Sequence, residues 1–302
     1  MAFILTPKQV EAQKIAQSDA THILFEGGSR SGKTALHVRN VASRALRAPT
    51  SRHLIFREHF NHCWESVALD TFPKVMSLAF PGLDYTINKQ HYYAKLPGES
   101  EIWFGGMDDS QRMEKILGRE YATIYANESS QLGFGTIETA KTRLAQKVDK
   151  IKNGQVSGIL KPRMYYDCNP PSKGHWLYKL FHQKQEPVSK RPLTDPENYA
   201  VAKLNPGDNA ANISPEYLAL LQGMSGRMQK RFLLGEYADE NPNALFPMSK
   251  IDDNRNVSGD VPDMVRIVVA VDPSGSGDKD NAHNDAIGIA VCGLDRKSTR
   301  LN

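Results

Sequence analysis

Apolar residues along the chain gather into short runs separated by longer stretches of mixed polarity. Ile23–Phe25, His53–Arg57, Tyr121–Ala126 and Arg163–Asp167 are compact, largely apolar segments bounded by polar or turn-forming residues, the pattern of buried strands. Between them Thr34–Arg47, Cys63–Ala79 and the charged Asp109–Leu117 carry helical spacing, the second stopped by Pro81-Gly82. Tyr92–Leu96 and Glu101–Phe104 flank Pro97-Gly98 as a hairpin. An earlier helix opens with Thr6 as cap and Pro7 in the first position. Such alternation predicts an α/β fold, a mostly parallel sheet with helices on both faces.

The basic stretch Thr136–Lys152 reads as helical, and Ser214-Pro215-Glu216 starts a helix that Gly223 interrupts and Ser225–Leu234 resumes. Gly235–Pro247 is an irregular connector, and the polar Asp252–Asp263 marks a domain boundary. Beyond it Val265–Val271 and Ala286–Cys292 are strands around the polar loop Pro273–Asn284. The expected division is therefore 1–240, with a helical lid region at about 211–240, a linker over 241–264, and a second domain from 265 to 302.

Composition narrows the class. The 302 residues are 40% hydrophobic and 24% charged, a core-forming balance. No apolar run approaches a membrane span, and the first residues lack the pattern of a signal peptide. Three widely spaced cysteines, with no C-x-x-C, indicate neither a zinc cage nor a disulfide frame, so a reducing cytoplasm is the expected compartment. The net charge of +4 is unevenly spread: residues 141–235 hold 16 Lys and Arg against 7 Asp and Glu, and residues 236–302 hold 7 against 12. A basic block suits a polyanion such as DNA, and clustered acids suit hard divalent cations. Ordinary solvated faces fit those counts equally well.

The most specific chemistry lies between the first strand and its helix. Gly27-Gly28-Ser29-Arg30-Ser31-Gly32-Lys33-Thr34 fits G-x-x-x-x-G-K-[ST], a P-loop, in the strand–loop–helix setting that the motif requires. Glycines permit a tight turn whose backbone N–H groups face phosphate oxygens beside the positive helix end. Lys33 is placed for the β and γ phosphates, and Thr34 for Mg²⁺. Gln9, one short helix upstream, can offer its carboxamide to adenine or simply be an exposed helix residue.

Tyr121–Ala126 runs directly into Asn127-Glu128. P-loop ATPases end such a strand in two acids, the first for the magnesium shell and the second for the attacking water. Glu128 stands in the second place. Asn127 occupies the first and lacks the charge, which predicts a weaker grip on the metal. Asn169, after the Arg163–Asp167 strand, is a candidate γ-phosphate sensor, although Asn169-Pro170 is also a good turn. Asp272 ends the Val265–Val271 strand and Asp285 precedes the next; each could ligate a nuclease metal, and Asp272 could equally cap its strand.

Together these segments resemble the large subunit of tailed-phage terminases. The likeness rests on Thr6–Gln9, GGSRSGKT, the Ile102–Gly106 to Gly118 stretch before YATIYANE, Tyr166–Pro170, Phe232–Tyr237 leading to Ala244–Pro247, and VDPSGSG with the later GIAV. The resemblance implies an ATPase that translocates double-stranded DNA into a procapsid, with ATP and Mg²⁺ as cofactors. It also implies Gln9 at adenine, Glu128 as catalytic carboxylate and Asn169 in coupling. Arg30, Arg112 and Arg119 are three candidates for the charge-neutralising arginine, with no choice among them. Implied partners are a small terminase subunit, the portal of the procapsid and further copies in a ring, in the host cytoplasm and without a membrane.

A ribonuclease-H-like nuclease, using Mg²⁺ or Mn²⁺, is implied for the second domain. Such a domain has about five strands in the family, and only its first hairpin is visible here, with about thirty residues after Asp272. The expectation is an incomplete nuclease that does not cut DNA, and at best weak ATP hydrolysis. A helicase-like DNA-stimulated ATPase, or a nucleotide-dependent scaffold with blunted hydrolysis, are the alternatives.

Overall fold

The computed structural model describes residues 3–108, 116–238, 263–272 and 288–295. Two compact units divide the chain, Met1–Pro247 and Met248–Asn302. The expected helix over Asp109–Leu117, apart from its last two residues, and most of the 241–264 linker lie outside the described residues.

The first unit is built on strands β1 (His22–Glu26), β2 (Arg52–Arg57), β3 (Thr86–Asn88), β4 (Tyr93–Lys95), β5 (Glu101–Gly106) and β6 (Thr123–Ala126). After the separate hairpin β7 (Asp149–Lys152) and β8 (Gln155–Ile159) come β9 (Arg163–Cys168) and β10 (Tyr199–Lys203). The eight-stranded sheet runs β10-β1-β9-β6-β2-β5-β4-β3. From β10 to β5 every neighbouring pair is parallel; β4 and β3 are added antiparallel. This is the P-loop NTPase fold, and β9 is inserted between the strand that feeds the P-loop and the strand that ends in Asn127-Glu128.

Strands buried on both faces explain the short apolar runs of the sequence. Ile23, Leu24 and Phe25 have no exposed surface, nor do Ile55, Phe56, Ile124 and Tyr125. Each such aliphatic or aromatic side chain stabilises the fold by roughly 1.5–3 kcal/mol. Helix α2 (Lys33–Arg47) buries Leu36, Val38, Val41 and Ala45 in one core, which α1 (Pro7–Ala16) joins through Ala12 and Ala16. On the other face Ile137, Leu177, Leu180 and Phe181 pack with Leu24, Ile124 and Tyr166. Helical residues Phe60–Cys63 continue into a wide π segment, Trp64–Thr71, and then into Phe72–Ala79.

Two expectations need correction. The helix expected over Thr136–Lys152 covers only Phe134–Lys141, and 149–152 is strand. Asn153 (φ 52°) and Gly154 (φ 74°) form the left-handed turn of the β7–β8 hairpin, a signal the lysine-rich composition masks. Strand β10 has no counterpart among the strands expected from the sequence; it completes the sheet beside β1. In the second unit, β11 (Met264–Asp272) and β12 (Gly288–Asp295) form an antiparallel hairpin with Asp272 opposite Gly288 at its end.

Candidate functional site

The P-loop leaves β1 at Gly27, whose φ of 139° belongs to glycine; a Cβ there would lie 1.8 Å from the Leu204 carbonyl. Gly32, at φ 88°, is the N-cap of α2, and a Cβ on it would meet the Gln9 amide nitrogen at 2.6 Å. The loop is held by its neighbours: the Gly27 amide donates to the Cys168 carbonyl (3.2 Å), Gly28 to Asn205 Oδ1 (3.1 Å) and Ser29 to the Phe232 carbonyl (2.8 Å). The first-turn amides of α2 have no intrahelical acceptor, as at any helix start, and form the anion-binding end of the loop.

Lys33 is buried and its ammonium donates to the carbonyls of Gly27 (3.1 Å) and Gly28 (2.6 Å), to Ser31 Oγ (3.1 Å) and to Asn169 Oδ1 (3.1 Å). Burial lowers its pKa, while the nearby carboxylates, Asp167 first, oppose the shift. The structure thus brings Asn169 against the P-loop lysine.

Across from the loop, Glu128 follows β6 in the left-handed region (φ 55°, ψ 48°), a conformation that costs a non-glycine residue energy and is concentrated at functional sites. Its carboxylate faces Arg57 Nη2 at 3.7 Å. Burial raises the Glu128 pKa and Asp167 adds to that, whereas Arg57 and Lys33 pull it back. Asn127 is 2% exposed, and its side-chain nitrogen donates to both oxygens of Asp167 (3.0 and 3.2 Å) and to the Tyr125 hydroxyl (3.0 Å). Thr34 Oγ1 donates to Asp167 as well, at 3.0 Å.

Ser29, Arg30, Ser31, Gly32, Lys33, Thr34, Asn127, Glu128 and Asn169 all line one cleft of about 980 Å³, with Arg57 and Asp167. The lining also includes Ser66, Val67, Asp70 and Thr71 of the π segment, the kind of helical irregularity found at functional sites. Gln9 sits behind the loop: its Oε1 accepts from the Thr6 amide (3.1 Å), and its Nε2 donates to Asn209 Oδ1 (3.2 Å) and the Ser31 carbonyl (3.4 Å). Arg119 is elsewhere, its guanidinium stacked 3.8 Å over the Trp103 ring. Arg112 and Asp285 lie outside the described residues, as does the side chain of Asp272.

Four residues of the site are missed by sequence reasoning. Arg57 and Asp167 enter there only as the last residues of two apolar strands and are given no role, although each is an ionisable group closing its run. Asn205 and Asn209 give no signal. Asn209 Nδ2 donates to the Arg30 carbonyl at 2.7 Å, so it braces the loop that Gln9 also touches.

Comparison with known proteins bears on the family and the fold. The family model described as phage terminase large subunit matches residues 19–210. Among solved structures, the large terminase of a thermophilic bacteriophage superposes with a TM-score of 0.62 at 16% identity, over 78% of this chain and 54% of that one. The same protein in complex with ADP gives 0.61 at 15% identity, over 97% and 66%. The HK97 bacteriophage large terminase gives 0.51 at 12%, over 78% and 51%. The chain thus spans between about half and two thirds of the length of these structures. No curated protein sequence matches significantly.

Proposed function

This chain belongs to the phage terminase large subunit family, and from that premise we propose that it hydrolyses ATP to drive double-stranded DNA into a procapsid. One observation carries the reading: Lys33, Thr34 and Glu128 line the same cleft. The amides at the start of α2 receive the phosphates, and Lys33 exchanges its bonds to the Gly27 and Gly28 carbonyls for phosphate oxygens. Glu128 orients the attacking water and takes its proton. Its raised pKa suits a base of this kind, which works best near the ambient pH.

Hard oxygen donors at the cleft fit Mg²⁺. No group of three or more His, Cys, Asp or Glu side chains gathers among the described residues; an ion held at Thr34 would take most of its ligands from phosphate and water. Thr34 is the P-loop residue that would hold it. Bound Mg²⁺ would supply charge neutralisation on the phosphates.

Arg30, which lines the cleft, is the favoured charge-neutralising arginine; Asn169, through its bond to Lys33, is placed to sense the γ-phosphate. Gln9 would take adenine by exchanging its bonds to Ser31 and Asn209. We assign the basic 141–235 block to DNA, and the family likeness supports assembly with a small subunit, a portal and further copies in the host cytoplasm. The β11–β12 hairpin with Asp272 is assigned to a metal-dependent nuclease unit, with Asp285 as a second ligand. No helix among the described residues is long and apolar enough to cross a membrane.

The test is ATP turnover and ATP binding in the wild type, Lys33→Ala and Glu128→Gln. Loss of binding in the first variant and loss of turnover with binding kept in the second is the expected result. Wild-type turnover in Lys33→Ala would overturn the reading.

A further inference from the structure

We propose that Asp167 is the carboxylate of the magnesium site, supplying from the neighbouring strand the charge that Asn127 lacks. The inference deepens the nucleotide-binding reading above and rests on it.

β6 and β9 run parallel, with Ala126 opposite Tyr166, so the residues that follow, Asn127 and Asp167, come side by side at the P-loop end of the sheet. A carboxylate one strand over can therefore reach the same point as a carboxylate at position 127. Thr34, the P-loop hydroxyl placed for the metal, already donates to Asp167 Oδ2 at 3.0 Å. The Glu128 amide donates to Asp167 Oδ1 at 2.7 Å, which ties the metal-side acid to the backbone of the water-activating one. Asp167 is 2% exposed and lines the cleft, so its position is fixed by these donors and not by solvent.

Asn127 then has a different meaning from a lost acid. Its Nδ2 lies 3.0 Å from Asp167 Oδ1. An aspartate at 127 would bring a second carboxylate to that distance and remove the donor that now holds both oxygens of Asp167. The amide is the complement that Asp167 requires. The cleft thus keeps two acids in two roles, one on each strand: Asp167 toward the metal with Thr34, and Glu128 toward the water.

The test is Mn²⁺ binding to the full chain saturated with ADP, followed by electron paramagnetic resonance, beside ADP binding in EDTA. Asp167→Asn is expected to weaken Mn²⁺ by about 10- to 100-fold, the usual effect of removing a residue that supports a metal site, a larger factor than any change in ADP binding in EDTA. Asn127→Asp alone is expected to weaken Mn²⁺ too, and the exchange Asn127→Asp with Asp167→Asn to recover most of the affinity. Wild-type Mn²⁺ affinity in Asp167→Asn, or a gain of about tenfold in Asn127→Asp, would overturn the proposal. If Asp167→Asn does not fold, the other two variants decide: a folded exchange variant that no longer holds Mn²⁺ overturns it. Lys33→Ala separates the two levels. Undiminished ADP binding there defeats the nucleotide reading itself, whereas lost ADP binding there with Mn²⁺ unaffected by Asp167→Asn defeats the Asp167 assignment alone.

Discussion

Strands β6 and β9 end side by side, each carrying one acid and one amide, but in opposite roles. At β6 the amide, Asn127, is buried inside the sheet edge and the acid, Glu128, turns out into the cleft through a left-handed residue. At β9 the acid, Asp167, is the buried member and the amide, Asn169, reaches Lys33. The difference separates the two carboxylates by environment. Glu128 sits opposite a guanidinium with part of its surface open, which suits the proton-exchanging role proposed for it. Asp167 accepts from Thr34, Asn127 and the Glu128 amide, and is fixed in place. Pairs of acids held in contrasting surroundings divide their work in this way.

The largest effect expected from breaking the contrast is at Glu128. Glu128→Gln keeps the shape and removes the base, so turnover should fall by about 10²- to 10⁴-fold with ATP affinity retained. Equal loss of turnover and affinity would place Glu128 with the binding groups. Lys33→Ala comes next. A hydrogen bond to a charged group contributes roughly 1.5–3 kcal/mol, so ATP affinity should weaken by about ten- to a hundredfold, as read by calorimetry. Both experiments keep the donors to Asp167 in place.

Much of this site is legible in the chain because its signals are local. A P-loop is contiguous, and Gly27, Gly32, Lys33 and Thr34 announce their geometry by spacing alone. Glu128 is legible because it directly follows an apolar strand. Asp167 is not, although it too closes an apolar strand, because its meaning depends on strand order. Only when β9 lies between β1 and β6 does residue 167 stand next to residue 127 and within reach of Thr34. Sequence periodicity gives strands and does not give their order across a parallel sheet. Arg57 is hidden for the same reason: its place opposite Glu128 follows from β2 lying beside β6. The β7–β8 hairpin is the opposite case, a local signal at Asn153-Gly154 outweighed by the charge of the lysines around it.

Arg57 gives the next prediction. It opposes the burial and the Asp167 repulsion that raise the Glu128 pKa. Removing it in Arg57→Ala should raise that pKa further. Since a base acts in its ionised form, the acid limb of the turnover profile should move to higher pH, with a severalfold loss of rate near neutrality, and Arg57→Lys should return it part of the way. A limb that stays in place would mean that the 3.7 Å pair does not tune Glu128.

The smallest effect bears on how that limb is measured. His37 and His53 are buried and His22 is half-buried, and burial lowers their pKa values from 6.5 to about 3. Well above pH 6.5, by about pH 8, these residues are neutral in both the folded and the unfolded chain. Below it the unfolded chain binds protons that the folded chain refuses, so stability falls progressively toward pH 3. At pH 6.5 each histidine costs only about 0.4 kcal/mol by linkage, and the loss grows with further acidification. Thermal melts between pH 8 and 5 should show the decline, and replacing His37 with Asn, which cannot take a proton, should flatten it. A decline of this origin lowers activity equally in the wild type and in Arg57→Ala, because the hydrogen bonds of the three histidines go to residues other than Arg57 and Glu128. A shift of the acid limb between those two proteins at matched stability therefore reports on the cleft, and the common loss reports on the core beneath it.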